Sequence, residues 1–158
     1  METLGSDPDR ARKIEVVPYD AGWPRLFEAE QAKIRVALGS AALLIEHVGS
    51  TAVPGLAAKP VIDVQLAVRD SADEAAYRPA LERAGYRLII CEPEWFEHRM
   101  LKSPDIAANL HVFSAGCAEI ERMLRFRDRL RADEADRRLY EDTKRELAAR
   151  SWKHVQHY

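Results

Sequence analysis

Two runs of β-forming residues, Ala42 to Val48 and Val61 to Val68, flank the loop Gly49-Ser50-Thr51-Ala52-Val53-Pro54-Gly55-Leu56. The second run constrains the fold most. Its alternation puts Ile62, Val64, Leu66 and Val68 on one face and Asp63, Gln65 and Ala67 on the other. The first face must lie on a core. An aspartate in the middle of an apolar strand is costly unless it is paired, hydrogen-bonded or metal-bound. Asp63 therefore marks a polar site on a structured sheet.

The rest of the chain supplies partners for that sheet. Ile14 to Tyr19 reads as an edge strand ended by Pro18, and Asp20 as the cap of a helix from about Trp23 to Leu38. Trp23, Leu26, Phe27, Ile34 and Leu38 share one helix side, and Gly39 is placed to end it. Ser71 to Ala84 reads as a helix capped by Ser71 and stopped by Gly85. Strand candidates follow at Tyr86 to Cys91, Trp95 to Leu101 and Asn109 to Phe113. Helices follow from Ala118 to Arg131 and from Asp133 onward, with Leu130, Leu139, Tyr140 and Leu147 as candidate buried contacts. Trp23, Trp95 and Phe96 read as core rather than as stacking platforms for a base. The order of elements gives an α/β (α+β) domain with a mixed sheet. Met1 to Lys13 is a loose tail, and residues 14–158 form one domain, which 158 residues suffice to fill.

Composition excludes several roles. With 24 basic and 26 acidic side chains the formal charge is −2, so nucleic acid is not an expected partner. The polar start has no signal-like stretch, and no run approaches the roughly 18 apolar residues of a membrane span, so a cytoplasmic protein with no membrane partner is expected. Cys91 and Cys117 have no metal-ligand spacing and read as small buried or half-buried side chains.

The chemistry gathers at the loop between the two strands. The backbone amides of a Gly-Ser turn and the Ser50 hydroxyl can hold a phosphate, since glycine permits close approach and exposed N–H groups make an anion site. Asp63 could hold a divalent cation of the kind used in phosphoryl transfer. Equally, Gly49 and Ser50 form an ordinary tight turn in many folds, Lys59 a solvated loop lysine, and Asp63 a structural carboxylate paired with a basic side chain.

Gly-Ser followed, after twelve intervening residues, by a strand-borne acid resembles the signature of the nucleotidyltransferase superfamily. The longer string Glu46-His47-Val48-Gly49-Ser50-Thr51-Ala52-Val53-Pro54-Gly55-Leu56-Ala57-Ala58-Lys59-Pro60-Val61-Ile62-Asp63 closely resembles the hallmark of the GrpB family. Val17-Pro18-Tyr19-Asp20 with Trp23-Pro24, Asn109-Leu110-His111-Val112-Phe113, and Leu124 to Arg131 with Tyr140 and Lys144 extend the resemblance over roughly Val16 to Lys144. It implies a nucleotidyltransferase-like mixed sheet of about five strands flanked by helices, with a C-terminal helical segment. It also implies a nucleotide or phosphorylated small molecule as ligand. Because some members are joined to dephospho-CoA kinase, a protein partner in the coenzyme A pathway is a further implication.

The resemblance ranks the residues. Asp63 and His111 are the catalytic candidates, and Gly49, Ser50, Lys59, Gln65, Arg125, Arg127 and Arg131 are candidates for binding substrate. Asp63 and Glu46 are candidates for holding Mg²⁺. His111, a lone strand histidine, reads structurally without the resemblance, and the arginine run reads as a solvated helix face with ion pairs. The superfamily places a second carboxylate two positions after the first, where this chain has Gln65, and a third on a neighbouring strand, where it has Asn109 and His111. Two readings stand side by side: a nucleotidyltransferase with a degenerate metal site, and a binding or accessory module that kept the pocket.

Overall fold

The structure is a computed structural model and describes residues 2–3 and 15–149. Five strands, β2 (Leu44–Val48), β3 (Ile62–Val68), β4 (Arg87–Glu92), β5 (His98–Lys102) and β6 (Ala108–Ser114), form one mixed sheet. The two-residue β1 (Glu2–Thr3) adds an edge, in the order β1-β4-β5-β6-β3-β2. β3 and β6 run parallel at the centre, and every other pairing is antiparallel. The remainder of the expected N-terminal tail, and Trp152 to Tyr158, lie outside the described residues.

Alternation along β3 sets the layers. Ile62, Val64, Leu66 and Val68 pack with Trp23 and Ile34 of α1 (Trp23–Leu38) and Leu81 of α2 (Arg78–Arg83) in the main core. On the opposite face, Ala67 and Phe113 meet Ile120 of α3 (Ala118–Ala132), and Val53 and Leu56 of the loop meet Leu130. α4 (Glu134–Ala148) follows α3, with Asp133 as its N-cap accepting the Asp136 N–H at 3.0 Å. No helix among the described residues is long and apolar enough to cross a membrane.

Several local expectations are corrected. Ile14 to Tyr19 contributes one antiparallel bridge, Val17 to Ala58, among its described residues. Asp20 caps no helix. Its carboxylate accepts the Gly22 N–H at 2.7 Å and orders the turn before Gly22, the residue at the cap. The helix expected from Ser71 is reduced to a single 3₁₀ turn, Glu74–Ala76, and the six residues of α2. Ser71 is drawn into the interior instead: its hydroxyl donates to the Glu97 carbonyl and the Tyr77 hydroxyl donates to the Ser71 carbonyl. Those tertiary bonds outweigh helix propensity, and Pro79 has no N–H to extend a helix backwards. Trp95 and Phe96 are 37% and 46% exposed, not core. They sit in a turn whose Phe96 and Glu97 take φ of 55° and 49°, which delays β5 to His98. Leu139 is exposed on α4 rather than buried.

Candidate functional site

The β2–β3 loop, β3, β6 and α4 enclose a cleft of about 150 Å³, lined among others by Ser50, Lys59, Asp63, Asn109 and Lys144. That is below the roughly 300–1,000 Å³ of a pocket that swallows a drug-sized ligand, and suits one end of a ligand better than the whole. Parallel pairing puts Asn109 beside Asp63 in register, so both project from the same sheet face. The Asn109 Oδ1 atom is buried and has no hydrogen-bond partner in the described structure.

Gly49 is placed there by geometry before chemistry. Its φ is +75°, and a Cβ would stand 2.7 Å from Asp63 Oδ2. Only glycine lets the loop turn this closely over the carboxylate. Ser50 opens the 3₁₀ turn Ser50–Ala52, and its hydroxyl donates to the Tyr140 hydroxyl of α4 at 3.2 Å. The Ala57 N–H donates to Glu141 at 2.7 Å, so α4 holds the loop at two points. Burial pushes the Lys144 ammonium below its usual range; Asp63 pulls it back up and Lys59 pushes it further down. Two cations and one carboxylate thus feel one another across the cleft.

His111 bonds Asp63, Nε2 to Oδ1 at 3.1 Å, which brings the two catalytic candidates together. Its other nitrogen, Nδ1, lies 3.0 Å from His98 Nε2, and His98 Nδ1 lies 2.8 Å from Glu92 Oε1. Sequence reasoning missed His98 and Glu92, because the residues lie on separate strands and share no local motif.

The other candidates sit elsewhere. Glu46 is committed to Arg127, Oε2 to Nη1 at 2.9 Å, and Arg127 also donates to the His47 carbonyl. Arg131 donates to the Ala52 carbonyl at 2.9 Å, and Arg125 pairs with Glu121 on the exposed side of α3. Arg127 and Arg131 brace the loop and line another cleft, of about 330 Å³, beside Tyr19 and Phe27. Gln65 is fully buried; its Nε2 donates to the Ile120 carbonyl under α3. Of the candidate binding residues, Ser50 and Lys59 line the cleft with Asp63, and Gly49 packs on that carboxylate. The sequence singled out Lys144 only as part of the resemblance.

A magnesium ion fits this donor set poorly. Among the described residues, no group of three His, Cys, Asp or Glu side chains lies close enough to hold a metal. Glu46 is tied to Arg127, both His111 nitrogens are hydrogen-bonded, and Asp63 shares its cleft with two lysines. A dication needs oxygen ligands whose charge offsets its own, and the cleft lining offers one carboxylate against two lysines.

A family model described as "GrpB protein" matches residues 13–158, and the chain belongs to the GrpB family. It is 56% identical to a UPF0157 protein of Halalkalibacterium halodurans, over 99% of this chain and 80% of that one. The crystal structure of conserved protein GrpB from Enterococcus faecalis superposes with a TM-score of 0.75 at 34% identity, covering 85% of this chain and 82% of that chain. A dephospho-CoA kinase of Mycolicibacterium paratuberculosis is 40% identical over 76 residues, which are 46% of this chain and 19% of the kinase.

Proposed function

We propose that the cleft binds the phosphate end of a nucleotide or other phosphorylated small molecule, without a resident metal and without efficient transfer chemistry. One observation carries this: Lys59 and Lys144 converge with Ser50 on a small cleft that holds a single carboxylate. Two ammonium groups and a hydroxyl suit phosphate oxygens, whereas phosphoryl transfer on a nucleotidyltransferase-like sheet calls for a carboxylate set that Gln65 and Asn109 replace. The size of the cleft favours capture of the charged end while the rest of the ligand stays outside. A phosphorylated metabolite of the cytoplasm is the expected partner.

A second reading is favoured by the partial likeness to a dephospho-CoA kinase. In it the domain is an accessory module that works beside a kinase of that kind and holds its phosphorylated substrate or product. Calorimetric titration separates the possibilities. ATP, GTP, CTP, UTP and dephospho-CoA are each titrated, with and without magnesium, into wild type, Lys144→Met and Asp63→Ala. The expected result is saturable binding of at least one ligand, little changed by magnesium and weakened at least about fivefold by Lys144→Met, since a close charge pair is worth on the order of 1–4 kcal/mol. Binding that requires magnesium and disappears in Asp63→Ala would replace this reading with a metal-dependent enzyme.

A further inference from the structure

Glu141 differs from the other side chains around the cleft because it puts a carboxylate where an anionic ligand would bind. Its Oε1 accepts the Ala57 N–H at 2.7 Å, across 84 positions of the chain. Ala57 lines the same cleft as Ser50, Lys59 and Lys144. A loop amide beside two ammonium groups is a natural seat for an anionic oxygen. We infer that the Ala57 N–H is a second anion subsite, which Glu141 fills as a stand-in until ligand arrives. The ligand is then a condensed phosphate, such as the diphosphate of a nucleotide, and its second phosphate takes the place of Glu141. This rests on the phosphate reading of the cleft and narrows it to one class of ligand.

The neighbouring amides show why this bond can be exchanged. The Leu56 N–H donates to the Val53 carbonyl, and the Ala58 N–H to the Val17 carbonyl. Those acceptors are main chain and cannot leave unless the loop itself moves. The Ala57 amide instead has a side chain for its acceptor, 27% exposed, on a helix whose one buried residue is Ala148. Glu141 also has somewhere to go. Its Oε2 lies 3.8 Å from Arg145 Nε, one turn further along α4. Swinging toward that guanidinium, the carboxylate keeps an ionic partner and leaves the loop amide open.

The spacing along α4 fits the exchange. Lys144 follows Glu141 by three residues, about 4.5 Å of helix axis, which two linked phosphates span. One phosphate stays with Ser50, Lys59 and Lys144, and the other reaches the Ala57 amide. A single phosphate has no second group to offer and leaves Glu141 where it is. The contact therefore weakens binding of condensed phosphates alone, and their arrival releases one of the two hydrogen bonds between α4 and the loop.

Calorimetric titration of orthophosphate and pyrophosphate into the full chain, without metal, tests this in wild type, Glu141→Gln and Glu141→Ala. Glu141→Ala should bind pyrophosphate more tightly, on the order of tenfold, the scale of one hydrogen bond to a charged group. Glu141→Gln keeps a neutral acceptor and should fall between that variant and wild type. The ratio of pyrophosphate to orthophosphate affinity should rise in the same order. A purely structural brace predicts the opposite sign, because its loss would loosen α4, displace Lys144 and weaken both ligands. Pyrophosphate binding that is weaker or unchanged in Glu141→Gln, the milder of the two variants, would overturn the inference. Amide NMR of wild type gives a second reading: pyrophosphate should shift the Ala57 signal far more than orthophosphate does, and equal shifts would also overturn it. If neither ligand binds wild type, the phosphate reading fails and the subsite with it. If both bind but these contrasts are missing, the reading stands and the subsite alone falls.

Discussion

At the scale of single residues, Gly49 and Asp63 are one feature. The sequence marked both, Gly49 for phosphate contact and Asp63 for a metal. The structure shows glycine making room for the carboxylate, since any Cβ would stand 2.7 Å from Asp63 Oδ2 at a φ of +75°. Gly49→Ala therefore strains the backbone and displaces Asp63 at once. Urea unfolding should show a loss of about 2 kcal/mol, the usual scale for a non-glycine residue forced into that region plus a close contact. A variant as stable as wild type would mean that the loop turns over Asp63 with room to spare. The importance of Asp63 was legible because a carboxylate among Ile62, Val64 and Leu66 needs a reason. Its partners were not, because nothing in the spacing of Glu92, His98 and His111 says that three separate strands bring them into line.

At the scale of elements, strong periodic patterns survived and weak ones yielded to tertiary bonds. α1 occupies the expected Trp23 to Leu38, with Gly39 at its end at a φ of 55°. β3 runs one residue shorter than expected, and its two faces divide as the alternation required. Ser71 to Ala84 yielded because Ser71 is worth more inside, bonded to Glu97 and Ser114, than as a helix cap. The turn before β5 was invisible in sequence, since left-handed Phe96 and Glu97 follow no turn rule that favours those residue types. α4 contributes most to the cleft beyond expectation. From one helix Tyr140, Glu141 and Lys144 reach back to Ser50, to the Ala57 amide and into the cleft, at sequence separations of 84 to 90 residues for the two hydrogen bonds.

At the scale of the whole molecule, both sheet faces bury a neutral histidine. His47 stacks on Phe27 under α1 and bonds Thr51 at 2.9 Å; burial lowers it to about 4. His98, on the other face, is lowered to about 3. Both values lie below the ordinary 6.5, so between these limits the unfolded chain binds more protons than the folded one. This stability is complete above about pH 6.5. It falls as the pH drops toward 4 for His47 and toward 3 for His98, by up to about 1.4 kcal/mol per pH unit for each. Thermal unfolding should therefore begin at distinctly lower temperature at pH 5 than at pH 7, and replacing His47 with Gln should flatten that dependence. An unfolding temperature that holds level across this range would mean that neither ring is neutral for the reason given. The measurement that bears most directly on the central claim is a crystal structure of the chain soaked with pyrophosphate. The account predicts phosphate oxygens between Lys59 and Lys144 beside Ser50, with no metal peak at Asp63 even when magnesium is supplied. Pyrophosphate held instead by Arg127 and Arg131 in the second cleft, or a magnesium ion on Asp63, would contradict it.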